Sequence, residues 1–186
     1  KDKQKKIEIG IVIKPDISEN QVNVAFLSIG SNLGNKKRNI EKAKFFLDTK
    51  SIKIIKSSSI YETYSWPNKN HPKFFNIVIK IITKLKPMDL FLIIKDIEKK
   101  LGRKKALING PRICDIDILD YNGKIYRFYA NKNKLVIPHP RLHNRNFVLF
   151  PLFEIEKNWK HPLNKTKIQD LIEKLDNSSL YSIKQI

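Results

Sequence analysis

The chain has a single cysteine, Cys114, among its 186 residues. It forms no disulfide within itself, and its isoleucine neighbours make the thiol read as a reduced core side chain rather than a redox centre. No stretch of about 18 consecutive apolar residues occurs, which removes a helical membrane span. No charged-then-apolar leader opens the sequence, so the expectation is a cytoplasmic protein with no membrane partner. Acid is scarce: 18 Asp and Glu stand against 37 Lys and Arg, giving a formal charge of +19. A surface that basic can bind polyphosphates through counterion release. Arginine is scarce too, with only Arg38, Arg103, Arg112, Arg127, Arg141 and Arg145. The remaining basic residues are lysines scattered over every segment among Ile and Asn, which reads as compositional drift rather than a patch, and no nucleic-acid partner is expected. Also missing are the Gly-X-Gly-X-X-Gly and Gly-Lys-Ser/Thr phosphate loops. The turn 30–35, Gly-Ser-Asn-Leu-Gly-Asn, carries neither and reads as a helix start capped by Asn35. The first residue is Lys rather than Met, so a fragment or excised domain is expected.

A chain of this length suits one domain, which on folding buries roughly 70% of the surface of its unfolded form. Residues 7–13 alternate with Ile7, Ile9, Ile11 and Ile13 on one face, a strand pattern, and Pro15, Asp16, Ser18, Glu19 and Asn20 follow as a linker. Residues 1–20 are therefore set apart from a domain over 21–186. In that domain a strand is expected over 22–29, then a helix carrying Ile40, Ala43 and Leu47 at helical spacing. Residues 52–63 and 74–83 are β-rich and flank a loop with Trp66, Pro67 and Pro72. Pro87 suits the first turn of a helix whose stripe is Leu90, Phe91, Ile94, Ile97 and Leu101, with Gly102 ending it. A strand over 112–121 leads through Asn122-Gly123, the favoured pair of a two-residue hairpin turn, into 124–128. A short strand at 135–137 and helices over 146–155 and 166–175 complete the pattern. The order implies an α+β fold, a mostly antiparallel sheet with helices packed on it.

Asp115 and Asp117 are two apart in a strand and project from one face, with Cys114, Ile116 and Ile118 on the other. Two carboxylates on an element made for burial repel one another unless a cation neutralises them. Mg²⁺ suits such a pair, because it takes one or two carboxylates and completes its shell with phosphate oxygens and water. Asp-X-Asp alone is common on solvent-facing strands, so the neighbours decide. Arg112 directly precedes the pair and Arg103 lies across a basic loop, and guanidinium groups match phosphate oxygens geometrically. His139 and Arg145 flank a Pro-rich turn as a second candidate phosphate cluster. Phe74, Asn76 and Phe147 make an aromatic and amide set for a flat heterocycle, although core packing is the commoner role of such aromatics.

The run 110–119, Gly-Pro-Arg-Ile-Cys-Asp-Ile-Asp-Ile-Leu, resembles the signature of the 6-hydroxymethyl-7,8-dihydropterin pyrophosphokinase family of folate synthesis. Residues 25–34, 59–63, 74–76, Ile97-Glu98, Gly102-Arg103, 137–140, Asn144-Arg145 and Phe147 fall in that family's order. The resemblance covers residue 22 to the end. It implies a ferredoxin-like α/β sandwich binding ATP and two Mg²⁺ on the open side of the sheet. By position it implies that Asp115 and Asp117 hold the metals and that Arg103 and Arg112 neutralise the diphosphate. Glu98, Ile118, Lys134, His139 and Arg145 would line the nucleotide site. Phe74 and Phe147 would sandwich the pterin, with Trp66, Asn76 and the Thr63 backbone completing its pocket. The chain departs from the pattern in a shortened 104–109 loop without the usual extra Arg and Trp, in Phe74 where Tyr is common, and in Tyr64-Ser65-Trp66 after Thr63. The extra N-terminal segment is expected to be either the tail of an upstream folate enzyme, with dihydroneopterin aldolase the plausible neighbour, or an extension pairing on the sheet edge.

Two other readings stay open on the residues. Ferredoxin-like sheets also bind RNA, but the Lys/Arg-Gly-Phe strand motif of such proteins is missing and the Asp pair would repel an RNA backbone. A catalytically decayed relative that binds nucleotide without turnover is the second.

Overall fold

The computed structural model describes residues 22–65, 69–103, 110–130 and 133–186, and the expected strand at 7–13 lies outside them. Strand β1 (Asn23–Ser31) leads into helix α1 (Lys36–Asp48), whose first turn is capped by the Asn35 side chain accepting from the Arg38 amide at 3.0 Å. Strands β2 (Ile52–Ser57) and β3 (Tyr61–Thr63) follow, then β4 (Phe74–Thr83) and helix α2 (Pro87–Lys100). Next come β5 (Asp115–Tyr121), β6 (Tyr126–Ala130) and β7 (Asn133–Ile137). Helices α3 (Asn146–Ile155), α4 (Ile168–Glu173) and α5 (Asn177–Tyr181) and strand β8 (Ile183–Gln185) complete the order.

The main sheet runs β5-β1-β4-β3-β8, with β2 also pairing β4, and every pairing is antiparallel. Taking β2 and β3 as one interrupted strand, this is the βαββαβ ferredoxin-like order, as expected. One face of the sheet buries Ala25, Leu27, Ile29, Ile77, Ile79 and Ile116 against Ile40 and Leu47 of α1 and Leu90 and Ile94 of α2. The other face buries Phe26, Val78 and Leu119 against Val148, Leu149 and Leu152 of α3 and Leu171 of α4. Alternation along β1 produces both cores, since neighbouring residues point to opposite faces. On the second face the helices stop short of Ser28 and Gly30, and the space beyond them is the functional cleft.

The structure corrects four expectations. Gly30 belongs to β1 rather than to the turn after it. The fifth strand begins at Asp115 rather than Arg112, because Asn32 takes the Arg112 amide on its Oδ1 at 2.6 Å and donates its own amide to the Arg112 carbonyl at 3.1 Å. Asn122 and Gly123 do form the left-handed turn, at φ 54° and 62°, closed by Lys124 N on the Tyr121 carbonyl at 3.1 Å. The chain then leaves β5 and pairs β6 with β7. Two anchors redirect it: Val24 N donates to Asn122 Oδ1 at 2.8 Å, and Tyr126 packs edge-on against Tyr121 with ring centroids 5.5 Å apart. The expected 146–155 helix matches α3, while 166–175 contracts to α4. Among the described residues, no helix is long and apolar enough to cross a membrane.

Candidate active site

In the β1–β5 pairing Ser28 lies opposite Asp117 and Gly30 opposite Asp115, and in the β1–β4 pairing Gly30 lies opposite Asn76. Two small residues of β1 thus stand beside the carboxylates, Gly30 between Asp115 and the Asn76 amide, which leaves room for a ligand on the sheet. The result is a cleft of about 490 Å³ with a charged end at Asp115, Asp117, Arg112 and Arg145 and an aromatic end at Thr63, Phe74, Asn76 and Phe147.

At the charged end each carboxylate meets cations. Asp115 contacts Arg112 Nη1 at 2.6 Å and Arg103 Nη1 at 2.8 Å. Desolvation pushes the Asp115 carboxyl up, but Arg103 and Arg112 outweigh it and hold it below its ordinary value. Asp117 contacts Arg145 Nη1 at 3.1 Å and faces His139 Nε2 at 3.7 Å. His139 Nδ1 accepts from the Arg141 amide at 3.1 Å, so a neutral ring carries its proton on Nε2, towards Asp117. Burial depresses the His139 pKa more than Asp117 raises it. Arg145 joins the two ends of the cleft, since its guanidinium also lies 5.4 Å from the centroid of Phe147.

Glu98 sits deeper than a nucleotide contact would. It is 1% exposed, ion-paired to Arg103 and to Lys95 (2.8 Å), and its Oε1 accepts from the Ile116 amide at 2.8 Å. It therefore props Arg103 from behind and fixes β5 between the two aspartates. Ile118 is buried in the α1/α2 core and Lys134 is exposed on β7, its ammonium 5.5 Å from the Tyr129 ring. Trp66 and the 104–109 loop lie outside the described residues.

Sequence reasoning missed several contributors. Asn32, 2% exposed, donates to Ser65 Oγ and the Pro72 carbonyl, both at 3.1 Å, and so clamps the Arg112 segment to the loop after β3. Its signal was its place in the 25–34 run that follows the family's order, which assigned it no role. Lys69, Arg141 and Asn144 line the cleft, as do Ser178, Ser179 and Ser182 from the C-terminal segment.

Among the described residues, no group of three or more His, Cys, Asp and Glu side chains gathers to hold a metal. The donor set at the cleft is therefore two carboxylates, which fits Mg²⁺ sharing its remaining positions with water and phosphate oxygens better than a fully protein-bound ion such as structural zinc.

The family model for 7,8-dihydro-6-hydroxymethylpterin-pyrophosphokinase matches residues 26–157. A 2-amino-4-hydroxy-6-hydroxymethyldihydropteridine pyrophosphokinase of Aquifex aeolicus is 39% identical over 149 residues, covering 78% of this chain and 88% of that protein. A folic acid synthesis protein of Pneumocystis carinii is 40% identical over 160 residues, covering 85% of this chain but 21% of that protein. The chain thus spans about a fifth of that fungal relative. A crystal structure of a Plasmodium falciparum HPPK-DHPS triple mutant superposes with a TM-score of 0.70 at 17% identity, over 90% of this chain and 47% of that one, which bears on the fold alone. With signature, fold and cleft in agreement, the chain belongs to the 7,8-dihydro-6-hydroxymethylpterin-pyrophosphokinase family.

Proposed function

We propose that this domain transfers the β,γ-diphosphate of ATP to the hydroxymethyl group of 6-hydroxymethyl-7,8-dihydropterin and releases AMP. The observation that carries this reading is the two-ended cleft, in which Arg145 contacts both Asp117 at the acid–arginine end and Phe147 at the aromatic end. A flat heterocycle at one end and a polyphosphate at the other place a substrate hydroxyl beside phosphorus.

In this reaction the hydroxymethyl oxygen forms a bond to the β-phosphorus and loses its proton to solvent. The bond from the β-phosphorus to the oxygen bridging it to the α-phosphorus breaks, and AMP leaves with the electron pair. Such a transfer requires positioning and charge stabilisation rather than a covalent protein nucleophile. Arg103 and Arg112 supply positive charge beside Asp115, and Arg145 does so beside Asp117, towards which a neutral His139 directs its Nε2 proton. Phe74 and Phe147 would hold the pterin ring, with Asn76 and Thr63, joined by a 3.0 Å hydrogen bond, at its polar edge. Mg²⁺, proposed as two ions held by Asp115 and Asp117, would neutralise phosphate charge when bound with ATP. Glu98 acts as the support of Arg103, and the contribution of Lys134 would come from its exposed position on β7.

The domain is further proposed to work within a longer folate-synthesis chain, with residues 1–20 as the join to an upstream unit. The fifth of the Pneumocystis carinii protein that it spans supports this, as does an Arabidopsis thaliana relative named as a folate synthesis bifunctional protein, of which it covers 24%.

The test is AMP release from ATP and Mg²⁺, with and without the pterin, comparing the native chain with Asp117→Ala. Pterin-dependent AMP that disappears in the variant and on chelation of Mg²⁺ is the expected result. Nucleotide binding without AMP would favour the decayed relative instead.

A further inference from the structure

We propose that residues 176–186 form a third wall of the pterin end of the cleft and set its affinity for the heterocycle, without contributing to the phosphate end. The inference rests on the pyrophosphokinase reading given above, and the segment lies beyond the residues matched by the family model, 26–157.

Three observations converge on it. β8 pairs with β3 so that Ile183 lies opposite Thr63, and the Ile186 amide extends this with a 3.0 Å hydrogen bond to the Ile60 carbonyl. At the other side Asn146, 9% exposed, donates through Nδ2 to the Ser179 carbonyl at 2.6 Å and to Ser182 Oγ at 3.0 Å. The Asn146 Oδ1 meanwhile accepts from the Phe147 amide at 2.7 Å, so the group that receives the segment also fixes the start of the helix bearing Phe147. One segment therefore ties the strand of Thr63 to the helix of Phe147, the two sides between which the ring would lie. Third, Ser178, Ser179 and Ser182 themselves line the cleft. Their hydroxyls donate within the segment, Ser178 and Ser179 to Asp176 at 2.6 and 3.2 Å and Ser182 to the Ser179 carbonyl at 3.1 Å, which leaves oxygen lone pairs to accept from the N–H groups on the edge of a pterin.

The phosphate end is built independently. Asp115 and Asp117 take their ion pairs from Arg103, Arg112 and Arg145, and Asp117 also faces His139, all outside the segment. Helix α5 buries no residue, and its start is held locally by Asp176 Oδ1, which accepts from Ser179 N at 2.7 Å. Removing the segment thus spares both hydrophobic cores.

The experiment measures two dissociation constants on the full chain, on a chain ending at residue 175, and on Ser182→Trp. One is for 6-hydroxymethylpterin in the presence of Mg²⁺ and a non-hydrolysable ATP analogue, the other for a fluorescent ATP analogue. Truncation should weaken pterin binding on the order of tenfold, the scale of the lost hydrogen bonds, and leave nucleotide binding within about twofold. Ser182→Trp should weaken pterin binding similarly by filling the wall. Unchanged pterin affinity in a truncated chain that still binds nucleotide overturns the inference, as does a parallel loss of both affinities. Should the truncated chain not fold, Ser182→Trp decides: selective pterin loss supports the wall, and unchanged affinity removes it. An intact chain that releases no pterin-dependent AMP and binds no pterin overturns the enzymatic reading itself, and the inference with it.

Discussion

Arg103 is held between Glu98 and Asp115: its Nη1 lies 2.8 Å from the Asp115 carboxylate, and the buried Glu98 pairs with the same nitrogen from below. A guanidinium fixed on both sides loses little further freedom when a phosphate arrives, which is what preorganised charge stabilisation requires. Glu98→Gln keeps the shape and an acceptor for the Ile116 amide but removes the charge that restrains Arg103. The variant should lose about 2 kcal/mol of stability, the scale of a hydrogen bond to a charged group, together with a drop in kcat on the order of tenfold or more. Urea titration and steady-state AMP release check the two parts, and a variant with native kcat would show that Arg103 needs no support.

Arg112 also reaches Asp115, at 2.6 Å, but its backbone is fixed by Asn32 rather than its side chain by a buried acid. Of the two guanidiniums on Asp115, that of Arg112 is held by one carboxylate and that of Arg103 by two, so Arg112 turns from carboxylate to phosphate more readily. Arg112→Ala should lower the rate by on the order of 10² to 10³, as loss of a single electrostatic donor does elsewhere. Native turnover in this variant would remove Arg112 from the transfer step.

Gly30 tests the aromatic end. A Cβ built on it would meet Asn76 Oδ1 at 2.9 Å, too close for an unshifted side chain. Because Asn76 also donates to Thr63 Oγ1 at 3.0 Å, Gly30→Ala should displace the amide and disturb that pair. The expected outcome is a KM for the pterin raised on the order of tenfold with the KM for ATP within about twofold. Equal changes in both constants would mean that the methyl disturbs the sheet rather than the pterin edge.

The parts of this site that depend on near neighbours were legible in the sequence. Asp115, Asp117 and Arg112 lie within six residues, and strand alternation alone puts both acids on one face. Glu98 was harder, although it carried a signal: with Ile94, Ile97 and Leu101 it sits on the apolar stripe of α2, where an acid must find buried partners. The contributions of β8 and α5 were not legible, because strands of three residues and helices of five are too short to show a period. Nor was the β6–β7 pairing, since the Asn122-Gly123 turn chemistry is satisfied whether or not the following strand returns along β5. What decides between those outcomes is Tyr126 packing on Tyr121, a contact that exists only once the core has formed.

Away from the cleft, His161 gives a prediction about pH. It is buried beside Trp159 at 5.8 Å and His143 at 6.3 Å, and its Nδ1 accepts from the Leu163 amide at 3.3 Å. Desolvation, aided by the charge of His143 when protonated, pushes its pKa below the ordinary 6.5. The unfolded chain therefore binds a proton at this position more readily than the folded one. The stability that the neutral ring contributes is whole above pH 6.5 and is lost as the pH falls through the depressed folded value. Asp120, reached through its 2.7 Å hydrogen bond from Trp159 Nε1, works in the opposite sense, since burial raises its carboxyl. Comparison with His161→Phe, which cannot be protonated but retains a ring against Trp159, isolates the histidine. Urea unfolding at pH 7.5, 6.5 and about 5.5 should show native stability falling with acid more steeply than that of the variant. Equal slopes would mean that His161 stays unprotonated in both states or charges equally in both, and burial would then not be what sets its titration.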